Sequence, residues 1–275
     1  MEIRKRMQPD DFILSTFGNN QKPILDAVGL RLGVESGVGY SGTFAEFRVF
    51  ESTPWMHYIW GKYGTPKDDG LWYDTVIPNT FDPEEFPLVE RKAREDYYVY
   101  MGRLIQRKGI DIAAQVCDRL GKKLIVAGQG ELRDAALDGY KCIEFVGSIQ
   151  DQAQKAHLLG HAQAVFCPTL YIEPFGGVAV EAMMCGTPVI TSPYGAFMET
   201  VQQGVTGFRC QDFADFVFAA SAVASLDCNK IRRYAVSRYS NSVAAEKYDE
   251  YFKRLHTIVA GKGWYEERSS NRWLK

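Results

Sequence analysis

The chain has 275 residues, 46% hydrophobic and 24% charged, enough for one large or two modest globular domains around a buried core. A formal net charge of −2 and an isoelectric point near 6.1 exclude a general basic field, and with it wholesale electrostatic binding to nucleic acid or an anionic membrane. The six cysteines, Cys117, Cys142, Cys167, Cys185, Cys210 and Cys228, are scattered with no C-x-x-C pair and lie mostly in apolar runs, a pattern of reduced core residues in a cytoplasmic protein rather than of a disulfide or zinc framework.

The start, "MEIRKRMQPDD", lacks the apolar core of a secretory signal, and no apolar run approaches the roughly 18 residues needed to cross a bilayer. Strands are expected at "DFILSTF" and "RLGVES", and further ones at "RVFES" and "TVIPN", too few for a stand-alone sheet of ordinary size. Aromatic residues crowd the stretch from Phe44 to Tyr73, and "DTVIPNTFDPEEFPLVERKARED" then mixes prolines with charges, as a domain junction does. From Tyr97 the chain alternates: "YYVYMG", the helix-like "GIDIAAQVCDRLG", "KLIVAG", a short helix, "CIEFVG", "QDQAQKAHLLGHA", "QAVFCP", a helix, "PVITSP" and "TGFRC". Short apolar strands alternating with longer helices predict a parallel sheet covered on both faces, a doubly wound Rossmann-like domain. Two helical stretches close the series, the last amphipathic through Val243, Tyr248, Phe252, Leu255 and Val259. The expected organisation is a partial first α/β domain over 1–90, a nucleotide-binding domain over 91–240, and a helix and tail over 241–275.

Ligands of open α/β sheets sit beyond the carboxyl ends of the strands, so residues that directly follow strands are the candidates. In "MGRLIQRKG", Gly102 ends a strand and Arg103 and Lys108 could converge on a diphosphate; the alternative is a solvated basic loop. "AGQGEL" places Gly128 in a turn at a strand end, a weak signal alone. In "YIEPFGGVAVEAMM" a helix starting near Gly177 would aim the amides of Gly176, Gly177 and Val178 at an anion or a sugar hydroxyl. Glu173 and Glu181 flank that turn, and carboxylates accept paired hydrogen bonds from vicinal diols. A helix-capping Glu173 and an ordinary helical Glu181 are the alternative.

These segments occur in a specific order. "VIPNTFDPEEF", "YMGRLIQRKGID" and "EPFGGVAVEAMMCGTPVITSPYGAFMETVQQGVTGF" resemble the linker, the G-R-L-x-x-x-K-G segment and the E-P-F-G signature of the retaining glycosyltransferases of family 4. The resemblance covers roughly Asp74 to Thr257. It implies a GT-B fold of two facing Rossmann-like domains, here with a shortened N-terminal one. It further implies that Glu181 binds the ribose diol of a nucleotide sugar, that Glu173 and the amides of Phe175 to Val178 hold the transferred hexose, and that Arg103 and Lys108 neutralise the diphosphate. Base contacts would come from main-chain groups near Ser148 and Ile149. The donor would be a UDP- or GDP-sugar, and no further cofactor is implied. With no D-x-D triplet in the chain, metal independence is expected.

The N-terminal part departs from the family pattern: "DDFILSTFG" and "RLGVESGVGY" resemble its fourth and fifth strands, so roughly the first three are expected to be absent, and a second chain could complete the domain. Where many relatives have a histidine this chain has Glu35, with Tyr40 nearby, as possible contacts to acceptor or sugar. His57, in "TPWMHYIW", reads as a packed helix residue. Trp264, Tyr265 and Trp273 are expected to pack on the first domain. The acceptor, whether sugar, lipid-linked or a modified base, is not named by the sequence. Two other readings stand beside the transferase: a non-catalytic nucleotide-sugar-binding subunit, and an enzyme glycosylating a hydroxymethylated DNA base, for which "RKRM" and "KIRRYAVSR" are local basic segments.

Overall fold

The computed structural model describes residues 2–8, 11–16, 18–29, 33–63 and 73–259. Two parallel sheets organise them. The first has β1 (Ile13–Ser15), β2 (Gly33–Val38), β3 (Phe47–Phe50) and β4 (Thr75–Val76) in chain order. The second has β5 (Tyr97–Met101), β6 (Lys123–Ala127), β7 (Ile143–Gly147), β8 (Val165–Cys167), β9 (Val189–Thr191) and β10 (Gly207–Arg209). Its order is β10-β9-β8-β5-β6-β7, so the winding reverses between β5 and β8, and a crevice opens there beyond the strand ends. The expected tail aromatics, Trp264, Tyr265 and Trp273, lie outside the described residues.

Ten α-helices are described: α1 (Glu2–Arg6), α2 (Lys22–Val28), α3 (Thr53–Tyr63), α4 (Ile110–Leu120), α5 (Gln152–His161), α6 (Gly177–Met184), α7 (Phe197–Thr200), α8 (Phe213–Ala222), α9 (Cys228–Tyr239) and α10 (Asn241–Val259). The inner strands of the second sheet, β5, β6, β8 and β9, read as apolar runs because both of their faces are covered, whereas β7 at the edge is largely exposed. Tyr97, Val99, Val165 and Val189 pack on one side with α5, α6 and α9. Their neighbours Tyr98, Tyr100, Phe166 and Ile190 pack on the other with α4 and α8. Helix α6 is apolar nearly all round, and every residue from Ala179 to Met184 is buried, so its position relative to the sheet is closely fixed.

The first sheet borrows part of its cover from the far end of the chain. Ala244, Tyr251 and Leu255 of α10 pack on Val34, Phe47, Val49 and Ile77, and the Tyr248 and Ser36 hydroxyls are hydrogen-bonded. The other face packs on α3, with Trp55 and Ile59 against Val38 and Phe50. Two strands of chain thus run between the halves side by side: the Phe81 N–H donates to the Tyr239 carbonyl at 2.9 Å and the Asn241 N–H to the Phe81 carbonyl at 3.2 Å. Leu255 is fully buried between α10 and the first sheet, so Leu255→Ala is expected to cost about 2–5 kcal/mol. Urea unfolding checks this, and an unchanged midpoint would show that α10 does not hold the first sheet.

Candidate active site

The candidate residues gather where the second sheet reverses. Strand β5 is followed by Gly102, whose N–H donates to the Ala127 carbonyl at 2.9 Å. Gly128, following β6, packs so closely on it that a Cβ there would stand 1.8 Å from the Gly102 carbonyl oxygen. The loop then turns at Gly109, φ 67°, where a Cβ would meet the Pro168 carbonyl at 2.0 Å, so only glycine lets this loop touch the end of β8. Within the loop, Arg107 and Lys108 approach the Tyr171 ring at 5.1 and 5.0 Å, a cation–π pair on one aromatic. Arg103 stands exposed nearby.

The chain after β8 brings up the carboxylate. Lys108 Nζ donates to Glu173 Oε2 at 3.0 Å, with the two side chains only 22% and 9% exposed. Burial works to lower the Lys108 pKa, but the attraction of Glu173 and the hydrogen bonds to Tyr171 and Glu173 outweigh it, so the ammonium is held charged with a raised pKa. The Glu173 backbone is clamped from α7: its carbonyl accepts from the Ala196 N–H at 2.8 Å, and a Cβ on left-handed Gly195 would lie 2.3 Å from both its N and its O. Gly176, φ 79°, is the N-cap of α6, and a Cβ on it would meet the Phe197 ring at 2.4 Å. Phe175 turns inward, its ring between Phe81 and Tyr239. Lys108, Glu173, Gly176, Gly177 and Val178 line one cavity of about 70 Å³, into which the first turn of α6 opens.

Glu181 sits farther along α6, buried and paired with Lys155 of α5. Among the described residues its Oε2 has no hydrogen-bond partner. Burial pushes its pKa up, against the opposing pull of Lys155. Glu181 lines neither the small cavity nor the larger cleft described next. Ser148 and Ile149 follow β7 at the outer edge of the sheet and also line neither.

The larger cleft, about 720 Å³, lies between the two halves. Arg103, Arg107, Lys108, Tyr171 and Glu173 line it from one side, and Tyr40, Trp55, Tyr58 and Lys62 from the other. Glu35, expected at this surface, is instead fully buried. Its carboxylate accepts from the Tyr40 hydroxyl at 2.7 Å and from the Phe44 and Ala45 N–H groups at 2.9 and 3.1 Å, so it is spent on shaping the loop after β2. Tyr40 does reach the cleft. His57 is on the exposed face of α3, its ring 5.4 Å from that of Trp60, and does not line the cleft.

A sequence profile described as Glycosyl transferases group 1 matches residues 82–238, more than half of the chain. The chain belongs to this family. This group 1 chain is 36% identical over 170 residues to the glycogen synthase of Mycobacterium tuberculosis, covering 57% of the chain and 40% of that protein. It is 32% identical over 215 residues to the phosphatidyl-myo-inositol mannosyltransferase of Mycolicibacterium smegmatis, covering 71% of the chain and 55% of that protein. The chain spans about half the length of the curated relatives it matches. Among solved structures it is similar to AviGT4, a glycosyltransferase involved in avilamycin A biosynthesis, with a TM-score of 0.65 and 25% identity over 83% of this chain and 68% of that one. The two parallel-sheet halves are thus the expected α/β fold of GT-B type.

Several residues of this group 1 site escape a reading by motif. Arg107 joins the cations only through Tyr171, although its place between Arg103 and Lys108 was visible. Lys155 meets Glu181 across two helices. Glu51, at the end of β3, accepts from the Asn79 side chain at 2.7 Å and stands directly behind Gly39, where a Cβ would be 2.0 Å from its Oε2. Burial is the main reason its pKa is raised, with Glu173 adding to the rise. The two halves also touch: the Ser52 hydroxyl donates to the Pro174 carbonyl at 2.7 Å, and the Glu199 carboxylate accepts from the Thr53 N–H at 3.2 Å.

Removing one member of the Lys108–Glu173 pair strands the other in a poorly solvated place. Lys108→Met is therefore expected to lower stability by about 3 kcal/mol, and the double variant Lys108→Met, Glu173→Leu to recover most of that loss. Denaturant unfolding of the three proteins checks it; additive losses would show that the two side chains are not energetically coupled.

Proposed function

We propose that this chain forms the donor site of a nucleotide-sugar-dependent hexosyltransferase, of the family 4 type, that retains the anomeric configuration and needs no metal. The observation that carries the proposal is the convergence at the switch point of Arg103, Arg107, Lys108, Glu173 and the N-terminal end of α6. An anionic diphosphate suits two guanidinium groups, an ammonium and a helix N-terminus. Lys108 would sit between that diphosphate and Glu173, and Glu173 with the amides of Phe175 to Val178 would receive the hydroxyls of the hexose. Glu181 would use its unpartnered Oε2 to accept from the ribose diol. Gly102 and Gly128 allow close backbone approach, and main-chain groups at Ser148 and Ile149 would meet the base, uracil or guanine.

In the reaction, the bond from the sugar C1 to the β-phosphate oxygen breaks and its electron pair leaves with the diphosphate. An acceptor hydroxyl oxygen bonds C1 from the same face, and its proton passes to the departing phosphate oxygen. Fixed cations stabilise the charge that develops on the leaving group, the task a metal serves elsewhere. The six unpaired cysteines suit a reducing compartment, so we assign the chain to the cytoplasm. Among the described residues, no helix is long and apolar enough to cross a membrane.

Calorimetry against UDP, GDP and their glucose, galactose and mannose conjugates tests the donor site. One nucleotide is expected to bind equally with and without EDTA, and Glu181→Ala and Arg103→Ala are each expected to weaken it about tenfold or more. Failure of every ligand to bind would overturn the proposal. A pH series adds a signature. The Glu181 carboxyl is raised from 4.5, and only its charged form accepts both diol hydrogens, so affinity should fall as pH descends through a midpoint above 4.5. Glu181→Gln should flatten that step; a step unchanged in the variant would assign it to another group.

A further inference from the structure

Helix α5 buries Ala156, Leu159 and Gly160 on its inner face, and His157 and His161 lie outside that face, the first exposed and the second half-buried. Four residues apart on a helix, the two side chains are neighbours on successive turns. Their rings stand 4.0 Å apart between centroids and are tilted by 35°. His161 Nδ1 lies 2.9 Å from the His157 carbonyl oxygen. A carbonyl only accepts, so this Nδ1 carries a proton and donates it, and in the neutral imidazole Nε2 keeps its lone pair. The helix ends at the same place: Ala162 is already extended, and the His161 carbonyl accepts from the Glu95 N–H at 2.8 Å, which fixes the last turn. Neither histidine lines the cleft or the small cavity.

We propose that His157 and His161 form a binding site for a divalent transition-metal ion of the zinc, nickel or copper kind. Two imidazole nitrogens on one ion, each at about 2.0–2.1 Å from it, stand about 3–4 Å apart, a span that rings this close already match. Imidazole suits these ions, whereas magnesium and calcium take oxygen ligands. The bond from His161 Nδ1 to a backbone carbonyl is the kind of outer contact that orients a ligating histidine and fixes its tautomer. A cation is also favoured beside the last turn of a helix, where the carbonyl ends of the peptide dipoles point. Among the described residues, no cluster of three or more histidine, cysteine or acidic side chains is placed to hold an ion. Water therefore completes the coordination, which makes this an open, exchangeable site rather than a closed structural centre. The ion takes no part in the transfer proposed above, and the two proposals stand or fall separately.

The test is calorimetric titration of the full chain with NiCl2 and with ZnCl2. At least one of the two ions is expected to bind at one equivalent per chain. His157→Gln and His161→Gln should each weaken that binding about tenfold or more, whereas His256→Gln, on α10, should leave it within about twofold. Both ligand positions are on the outer side of α5, so the substitutions leave its buried face intact. Failure of both ions to bind overturns the site. So does binding that is indifferent to His157→Gln and His161→Gln, which would place the ion elsewhere, on the cysteine thiols for example.

Discussion

A half-buried ion pair, Lys108 with Glu173, joins the two loops that flank the reversal of the second sheet. One loop follows β5 and the other β8, neighbours in space although 65 residues separate the paired side chains. Burying two charges is costly unless each is satisfied, and here Tyr171 and the clamp from Gly195 and Ala196 leave the carboxylate little freedom. The same pair holds a cation and a hydrogen-bond acceptor side by side at the mouth of α6. The proposed donor, with both phosphates and hydroxyls, would meet a surface already arranged for it, so little ordering would be left to binding.

That arrangement extends across the cleft. Pro174 is one residue beyond Glu173, and its carbonyl receives the Ser52 hydroxyl, which also accepts the Trp55 N–H at 3.3 Å. Ser52 thereby starts α3 and ties it to the loop carrying Glu173. Glu199, on the segment that clamps Glu173 from behind, meets the next N–H of α3 and favours the positive end of that helix. The position of α3 and the position of the carboxylate are therefore mechanically linked. Helix α10 reinforces the link by packing a distant part of the chain on the first sheet.

The architecture was largely legible in the sequence because strands buried on both faces leave unmistakable short apolar runs, as "KLIVAG" and "QAVFCP" do. Gly176 was legible for a related reason: a left-handed residue at a helix start leaves few side-chain choices. Glu35 was not, since a carboxylate after a strand looks the same whether it faces a cleft or folds its own loop inward. Its three hydrogen bonds to residues 40–45 are decided by how the loop closes. Lys155 and Glu199 were hidden because their partners, Glu181 and Thr53, are 26 and 146 positions away. Arg107 is cleft-facing only because Tyr171 provides a ring to lie on.

The central claim is that a nucleoside diphosphate occupies the switch point of the second sheet. The most direct measurement is a backbone amide NMR titration of the full chain with UDP and with GDP. For one of them, the account predicts shifts concentrated at Gly102, Arg103, Gly128 and Phe175 to Val178, with α10 and the first-sheet strands unmoved. Shifts clustered away from these loops, or none with either nucleotide, would contradict it.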